Sequence, residues 1–160
     1  MSTQKLFLPL LILLFVAGCS NAELGYNEKV TAIFLSQMNS LDEDQKIFSD
    51  TTALFHVDRS DSISLDIKAD NLVKNADLGL DDLASLRPSK DAKAFHAQLV
   101  QYLSKSKAYG MSIKKVLGAR GNRKEIYYQQ AALQSAQLEN MPDHIREIQV
   151  AYQDKAGLKR

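Results

Sequence analysis

A stripe of apolar and small residues after Pro88 constrains the fold of this chain more than any other feature. The stripe repeats every three or four residues, which is the spacing of one face of an α-helix. Ser89 can cap its start, and Gly118 and Gly121 supply stop signals. A helix over residues 90–117 would be about 42 Å long, so we expect it to form the centre of a bundle. The stripe consists of Ala92, Phe95, His96, Leu99, Tyr102, Leu103, Ser106, Gly110, Ile113, Val116 and Leu117.

Several other segments also have helical spacing, and the scarcity of Gly and Pro favours helix throughout. One helix is predicted from Tyr26 to Leu41. A second is predicted to start at the capping box Ser40–Glu43 and to bury Ile47, Phe48, Thr51, Leu54 and Phe55. Further helices are predicted over residues 122–139, with Ile126, Tyr127, Leu133 and Leu138 as its main apolar residues, and over residues 143–156, with Ile145, Ile148 and Tyr152.

Residues 60–78 are ambiguous, because Ile63, Leu65 and Ile67 alternate as they would in a strand. A lone strand would have no partner in this chain, so we predict a helix that Gly79 ends, followed by a short segment up to Leu86. Short connections between amphipathic helices favour antiparallel neighbours. The sequence therefore predicts an all-α, up-and-down bundle of about five or six helices, with residues 28–158 forming a single domain.

The N-terminus has the organisation of an export signal. An apolar run from Leu6 to Ala17, interrupted by Pro9, follows Lys5. A membrane-spanning helix needs about 20 apolar residues, and this run is shorter. A short basic start, a brief apolar core and a small-residue end are typical of a secretory signal peptide.

The end of this signal, Val16-Ala17-Gly18-Cys19, resembles the lipobox of bacterial lipoproteins. The resemblance implies cleavage between Gly18 and Cys19, so that residues 1–18 are removed. It also implies a lipid thioether on Cys19 and an acyl chain such as palmitate on the freed amine. Several acyl chains on one residue make a stable membrane anchor. Cys19 is the only cysteine of the chain, so an intramolecular disulfide is excluded.

The residues after Cys19 bear on location. Ser20 replaces the aspartate that tends to retain Gram-negative lipoproteins in the inner membrane, so the resemblance implies the periplasmic face of the outer membrane. Residues 19–27 would be a lipidated N-terminus and a short tether. Even fully extended, the eight residues from Ser20 to Asn27 reach only about 27 Å, so the domain should lie close to the bilayer.

No catalytic or metal-binding constellation is evident. The histidines His56, His96 and His144 have no second histidine or cysteine at ligand spacing. His96 is expected to be a hydrogen-bonded boundary residue, and His144 an i,i+3 partner of Glu147.

Two acidic motifs are interpreted as structural features and not as catalytic or metal-binding sites. Asp66 and Asp70 are predicted to lie on a solvated helix face. The stretch Asn75–Gly79 lacks the later ligands of a calcium loop. We therefore expect a protein without a metal or cofactor, and not an enzyme.

The charge of the chain is strongly asymmetric. Residues 20–91 hold 14 acids and 7 bases, whereas residues 92–160 hold 5 acids and 12 bases. Between residues 105 and 124 there is no acid, and the bases there form a possible patch for an anionic partner. Because the chain is exported, nucleic acid is not expected, and lipid head groups or an acidic protein remain. Alternatively, the basic half could pair with the acidic half. The patch comprises Lys105, Lys107, Lys114, Lys115, Arg120, Arg123 and Lys124.

These features predict a membrane-anchored envelope lipoprotein that acts as a non-enzymatic interaction or structural module for an envelope protein. One alternative is a carrier whose helices enclose a lipid or a small apolar ligand. A protective role, in immunity or exclusion, is a further alternative.

Overall fold

The computed structural model describes the backbone of residues 7–48 and 59–158, and the side chains of residues 21–41 and 62–158. All regular structure in these ranges is helical, which confirms the all-α prediction. The helical segments are α1 (Phe7–Phe48), α2 (Arg59–Ser85), α3 (Lys93–Gly118), α4 (Asn122–Glu139) and α5 (Met141–Lys155).

Neighbouring helices run in opposite directions. Lys107 contacts Asp77 while Lys114 contacts Asp70, so α3 is antiparallel to α2. The pairs Lys105–Gln137 and Lys115–Tyr127 show the same for α3 and α4. On α1, Ser40 is bonded to Asn75, and Ile33 lies beside Gly79, so α1 is antiparallel to α2.

The last two helical segments together form the fourth helix of the bundle. A single residue, Asn140, separates α4 from α5, and Pro142 lies in the first turn of α5. Helix α5 is antiparallel to α1, because Tyr152 is bonded to Glu23 and Gln149 to Thr31. Since α1 and α3 are both antiparallel to α2, and α4 is antiparallel to α3, α5 runs in the same direction as α4. The described residues thus form four helices in five segments, fewer than the five or six predicted.

The central position predicted for residues 90–117 is confirmed. Helix α3 packs against each of the other four segments. Every member of the predicted stripe is buried, apart from His96 and Leu117, which are partly buried. Ser89 accepts a hydrogen bond from the Ala92 amide at 3.2 Å, just before α3 begins.

The predicted helix boundary at Ser40 is wrong, because α1 is helical as far as Phe48. The Ser40 hydroxyl donates to the Ser36 carbonyl at 3.2 Å and accepts from Asn75 Nδ2 at 2.7 Å. It therefore bonds within its own helix and to α2, and does not cap a new helix. Thr51, Leu54, Phe55 and His56 lie outside the described residues, as do the side chains of Ile47 and Phe48.

The helix predicted over residues 60–78 is confirmed, but the predicted break at Gly79 is wrong. Helix α2 passes through Gly79 and ends at Ser85. A Cβ atom at residue 79 would lie 3.0 Å from both Ile33 Cγ2 and Leu103 Cδ1. The glycine therefore permits close approach of α2 to α1 and α3, and it does not stop the helix.

Residues 20–27, predicted as a tether, are helical and belong to α1. Eight helical residues span about 12 Å, so they hold the domain nearer to Cys19 than an extended tether would.

Helix α4 buries less of its apolar surface than the sequence predicts. Ala131 and Leu138 are buried, but the exposed fractions of Ile126 and Leu133 are 54% and 67%. Among the described segments, only α3 packs extensively against this helix, and the face bearing Ile126 and Leu133 points outward. In α5, the predicted core residues Ile145 and Tyr152 are buried, and Ile148 is partly buried.

A polar and aromatic cluster closes the end of the bundle nearest Cys19, which we call the anchor end. The Tyr152 hydroxyl donates to the Glu23 carboxylate at 2.6 Å, and the Tyr26 hydroxyl lies 3.0 Å from His96 Nδ1. The Tyr152 ring stacks on Phe95 at 5.8 Å between centroids. Burial and the nearby Glu23 carboxylate raise the pKa of Tyr26 to about 12. Burial and the bond to Glu23 also raise the pKa of Tyr152. The cluster thus joins α5 to α1 and α3 through neutral phenols.

His96 should make the stability of the protein depend on pH. Burial lowers its pKa below the ordinary value of 6.5. An unfolded chain then binds a proton near pH 6.5 that the folded chain does not bind. The stabilisation of the folded state by neutral His96 is complete above about pH 6.5. It is lost as the pH falls through that value toward the pKa of His96 in the folded protein. Urea midpoints measured at about pH 7.5 and about pH 5.5 should show this loss. His96→Gln should reduce it, whereas the exposed control His144→Gln should not, and equal behaviour of the two variants would contradict the assignment.

Gln37 is a polar residue in the core between Phe34 and Leu41 on α1. It is 1% exposed, and neither atom of its amide has a hydrogen-bond partner within the described part of the chain. Burying an unpaired amide costs free energy of folding. Gln37→Met, which has a similar shape, should therefore raise the free energy of unfolding by about 1 kcal/mol. Chemical denaturation measures this, with the exposed Gln130→Met as the control; a less stable Gln37→Met protein would show that the amide is paired in solution.

Candidate functional site

The structure separates the predicted basic patch into two sets. Lys107 and Lys114 are directed toward α2, where Lys107 lies 2.6 Å from Asp77 and Lys114 contacts Asp70. The hydrogen bond to Asp70 raises the pKa of Lys114. Lys105 donates to Gln137 Oε1 on α4 at 3.1 Å. For Lys107 and Lys114, therefore, the alternative of pairing between the acidic and basic halves is correct.

The other set surrounds the turn between α3 and α4. There Lys115, Arg120 and Arg123 line an open groove of about 690 Å³, together with Gly118, Ala119, Asn122 and Tyr127. We call this the basic groove. Lys115 Nζ lies 6.0 Å from the centre of the Tyr127 ring, a favourable position for a cation over an aromatic face. Lys124 is partly buried next to Arg123.

A short connection brings these bases together. Helix α3 ends at Gly118, and the Ala119 amide donates to the Val116 carbonyl at 3.3 Å. Gly121 has a φ of 57°, which side chains disfavour, and its carbonyl accepts from the Lys124 amide at 2.9 Å. The chain thus reverses within three residues and places the last turn of α3 beside the first turn of α4.

The electrostatics of the basic groove favour an anion. The N-terminus of a helix carries a partial positive charge, and α4 begins at Asn122 beside Arg120 and Arg123. The acid of this turn, Glu125, accepts a hydrogen bond from Gln129 at 3.1 Å. The partial positive charge of this helix end and three side-chain cations suit a carboxylate or a phosphate.

A second groove lies on the α2 side of the same end. Ser62, Ile63, Asp66, Ile67, Lys114, Leu117 and Gly118 line about 330 Å³. We call this the apolar groove. The exposed fractions of Ile63 and Ile67 are 57% and 55%. Sequence reasoning missed this groove, although Ile63 and Ile67 are spaced i,i+4, away from the buried stripe Leu65, Ala69 and Leu72.

Both grooves lie at the end of the bundle opposite Cys19, which we call the distal end. Tyr26 on α1 is level with His96 on α3, and Phe34 is level with Tyr102, so α1 and α3 are parallel. Along the helix axes, Cys19 lies about 10 Å from Tyr26, and His96 lies about 33 Å from Gly118. The basic groove is therefore roughly 40 Å from the predicted lipid attachment point.

The residues of the remaining candidate motifs contact other side chains of the bundle. Asn75–Gly79 lies inside α2, where Asn75 binds Ser40 and Asp77 binds Lys107. His144 Nδ1 lies 3.7 Å from Glu147, and both side chains are exposed. No cluster of three or more His, Cys, Asp or Glu residues suited to a metal ion occurs among the described side chains. The charges of the basic groove suit an anion, and its lining residues include no serine or cysteine.

Within the part of the chain whose side chains the structure describes, no helix combines the length and hydropathy needed to cross a membrane. No protein-family model matches the chain, and neither the curated proteins nor the solved structures include a significant match.

Proposed function

We propose that this protein is an envelope lipoprotein, anchored through Cys19 to the periplasmic face of the outer membrane, whose distal end binds an anionic surface of an envelope protein. The observation that carries the proposal is the position of Lys115, Arg120 and Arg123 around an open groove opposite the anchor end. Lys107 and Lys114 have carboxylate partners on α2. The distal bases are thus the part of the predicted patch best placed to meet a partner.

Geometry favours a protein over the head groups of the anchoring membrane as this partner. An anchor at Cys19 holds the part of α1 that follows this residue at the bilayer, and a bundle standing on that end keeps the basic groove roughly 40 Å away. The Debye length is about 8 Å at physiological salt, so head groups would exert little attraction there. A protective role, in which the bound protein is foreign, is a version of the same proposal.

Packing favours an interaction module over a carrier. The contacts of Gly79 with Ile33 and Leu103 bring α1, α2 and α3 close together in the middle of the bundle. Both described grooves open at the surface. A carrier would instead need its helices to separate around an apolar ligand.

Replacing Cys19 tests the anchor. Cys19→Ala should abolish labelling of the protein with radioactive palmitate and leave residues 1–18 attached, because the lipoprotein peptidase requires the modified cysteine. Ser20→Ala is the matched control and should be labelled and cleaved normally. Labelling of the Cys19→Ala variant would contradict an anchor at this residue.

Charge reversal tests the binding surface. Lys115→Glu, Arg120→Glu and Arg123→Glu, combined in the lipidated protein, should remove the partner that crosslinks to the wild type in intact envelopes. A control with Lys74→Glu, Lys93→Glu and Lys155→Glu makes the same change of net charge at exposed positions outside the groove. Equal loss of the crosslinked partner in both variants, or its retention in both, would contradict a role for the basic groove.

A further inference from the structure

We infer that the partner of the distal end is an acidic protein segment with apolar side chains, whose carboxylates bind in the basic groove and whose apolar side chains bind in the apolar groove. This inference rests on the proposed function and specifies the chemistry of the partner.

The two grooves form one continuous surface. Gly118 lines both of them, with Lys115 and Arg120 on its α4 side and Ile67 and Leu117 on its α2 side. A Cβ atom at Gly118 would have no neighbour within 4 Å, so nothing in the described part of the chain separates the grooves there. A single bound segment can therefore contact both.

The apolar groove has the features of a contact surface. Ile63 and Ile67 are one helical turn apart, about 6 Å along α2, and more than half of the surface of each residue is exposed. Adjacent exposed apolar side chains beside a charged rim are typical of protein interaction sites. The neighbouring acids Asp66 and Asp70 would repel an incoming carboxylate. Lys114 offsets part of this repulsion, because it contacts Asp70 and lies near Asp66.

Charge complementarity identifies the occupant. Three bases line one groove, and carboxylates and phosphates form strong charge-assisted hydrogen bonds with such bases. A free anion would satisfy this groove and leave Ile63 and Ile67 in water, and the membrane that would hold Cys19 lies roughly 40 Å away. An acidic helix with apolar residues at i and i+4 would cover both grooves at once, in the manner of helix-in-groove recognition.

The inference can be tested with the lipidated protein in phosphatidylcholine nanodiscs and a fluorescent 14-residue peptide of Glu and Leu, with the leucines on one helical face. Fluorescence anisotropy should detect binding. Ile67→Ser should weaken it about tenfold, as should Arg120→Ala combined with Arg123→Ala. Leu78→Ser is the matched control, because Leu78 lies on the same helix and is 54% exposed outside the grooves; its affinity should equal that of the wild type.

Other results would overturn the inference. If a peptide with Ser in place of Leu binds equally well, and Ile67→Ser has no effect, the site recognises charge alone; the inference then fails while the proposed function stands. Displacement of the peptide by phosphatidylglycerol vesicles, with direct binding of the vesicles, would identify a membrane as the partner. If no acidic peptide binds and the combined charge reversal keeps its crosslinked partner, both the inference and the proposed function fail.

Discussion

Leu72→Ala is expected to lower the free energy of unfolding by about 2–5 kcal/mol. Leu72 has no exposed surface and lies on α2 where this helix meets α3. One of its methyl groups would lie 3.4 Å from a Cβ atom placed at Gly110, so the side chain packs where α2 and α3 are in close contact. Truncation removes buried methyl groups and leaves a cavity that two closely spaced helices cannot readily close.

The same helix offers a matched control. Leu78 is also a leucine of α2, but 54% of its surface is exposed. Leu78→Ala should change the free energy of unfolding by no more than about 0.5 kcal/mol. Urea denaturation followed by circular dichroism measures both variants under the same conditions. Similar losses for the two would contradict the orientation assigned to α2.

Gly110→Ala is expected to destabilise the protein by about 1–3 kcal/mol, although alanine is normally the better helix residue. The added Cβ atom would lie 2.9 Å from Val73 Cγ2 and 3.2 Å from the carbonyl oxygen of Ala69. Val73 is β-branched and has few alternative rotamers, and Ala69 contributes backbone. Helices α2 and α3 would therefore have to move apart.

Gly25→Ala should change the free energy of unfolding in the opposite direction. Gly25 is also inside a helix, but an added Cβ atom would meet nothing within 4 Å. Alanine should then stabilise α1 by up to about 1 kcal/mol, from helix propensity alone. Thermal unfolding of the two variants should shift the midpoint in opposite directions. A stabilising Gly110→Ala would show that α2 and α3 are not in close contact.

The sequence predicts the helices well because the spacing of their apolar residues is a local property. The stripe from Ala92 to Leu117 is sufficient to place α3 at the centre, and its periodicity persists for the whole length of the helix. The same reasoning resolves residues 60–78, where Leu65, Ala69 and Leu72 face the core while Ile63 and Ile67 do not.

The helix ends are harder to predict because the residue types that mark a helix end also occur at contacts between helices. Ser40 and Glu43 match a capping box, but Ser40 bonds to Asn75 on a helix distant in sequence. Gly79 matches a helix stop, but it is a point of close contact with Ile33 and Leu103. Only the tertiary partner distinguishes these cases, and a single sequence does not contain it explicitly.

The candidate site was partly predictable for a similar reason. The run of bases from Lys105 to Lys124 is visible in the sequence, whereas the division of that run is not. Lys107 and Lys114 lie seven residues apart and share the face of α3 that meets Asp77 and Asp70. Arg120 lies in the turn between α3 and α4, and Arg123 lies in the first turn of α4. Their distance from Cys19 follows only from the parallel arrangement of α1 and α3.

Site-specific photocrosslinking can locate the proposed binding surface at the distal end of the protein. A photoreactive residue is placed at Arg120 in the lipidated protein within its native envelope, and a matched one is placed at Lys93, an exposed base at the anchor end. We expect a single protein adduct from residue 120 that is absent from residue 93 and that disappears when Lys115 and Arg123 are changed to glutamate. Adducts of the same protein in equal yield from both positions, or adducts only with phospholipid at residue 120, would contradict this expectation.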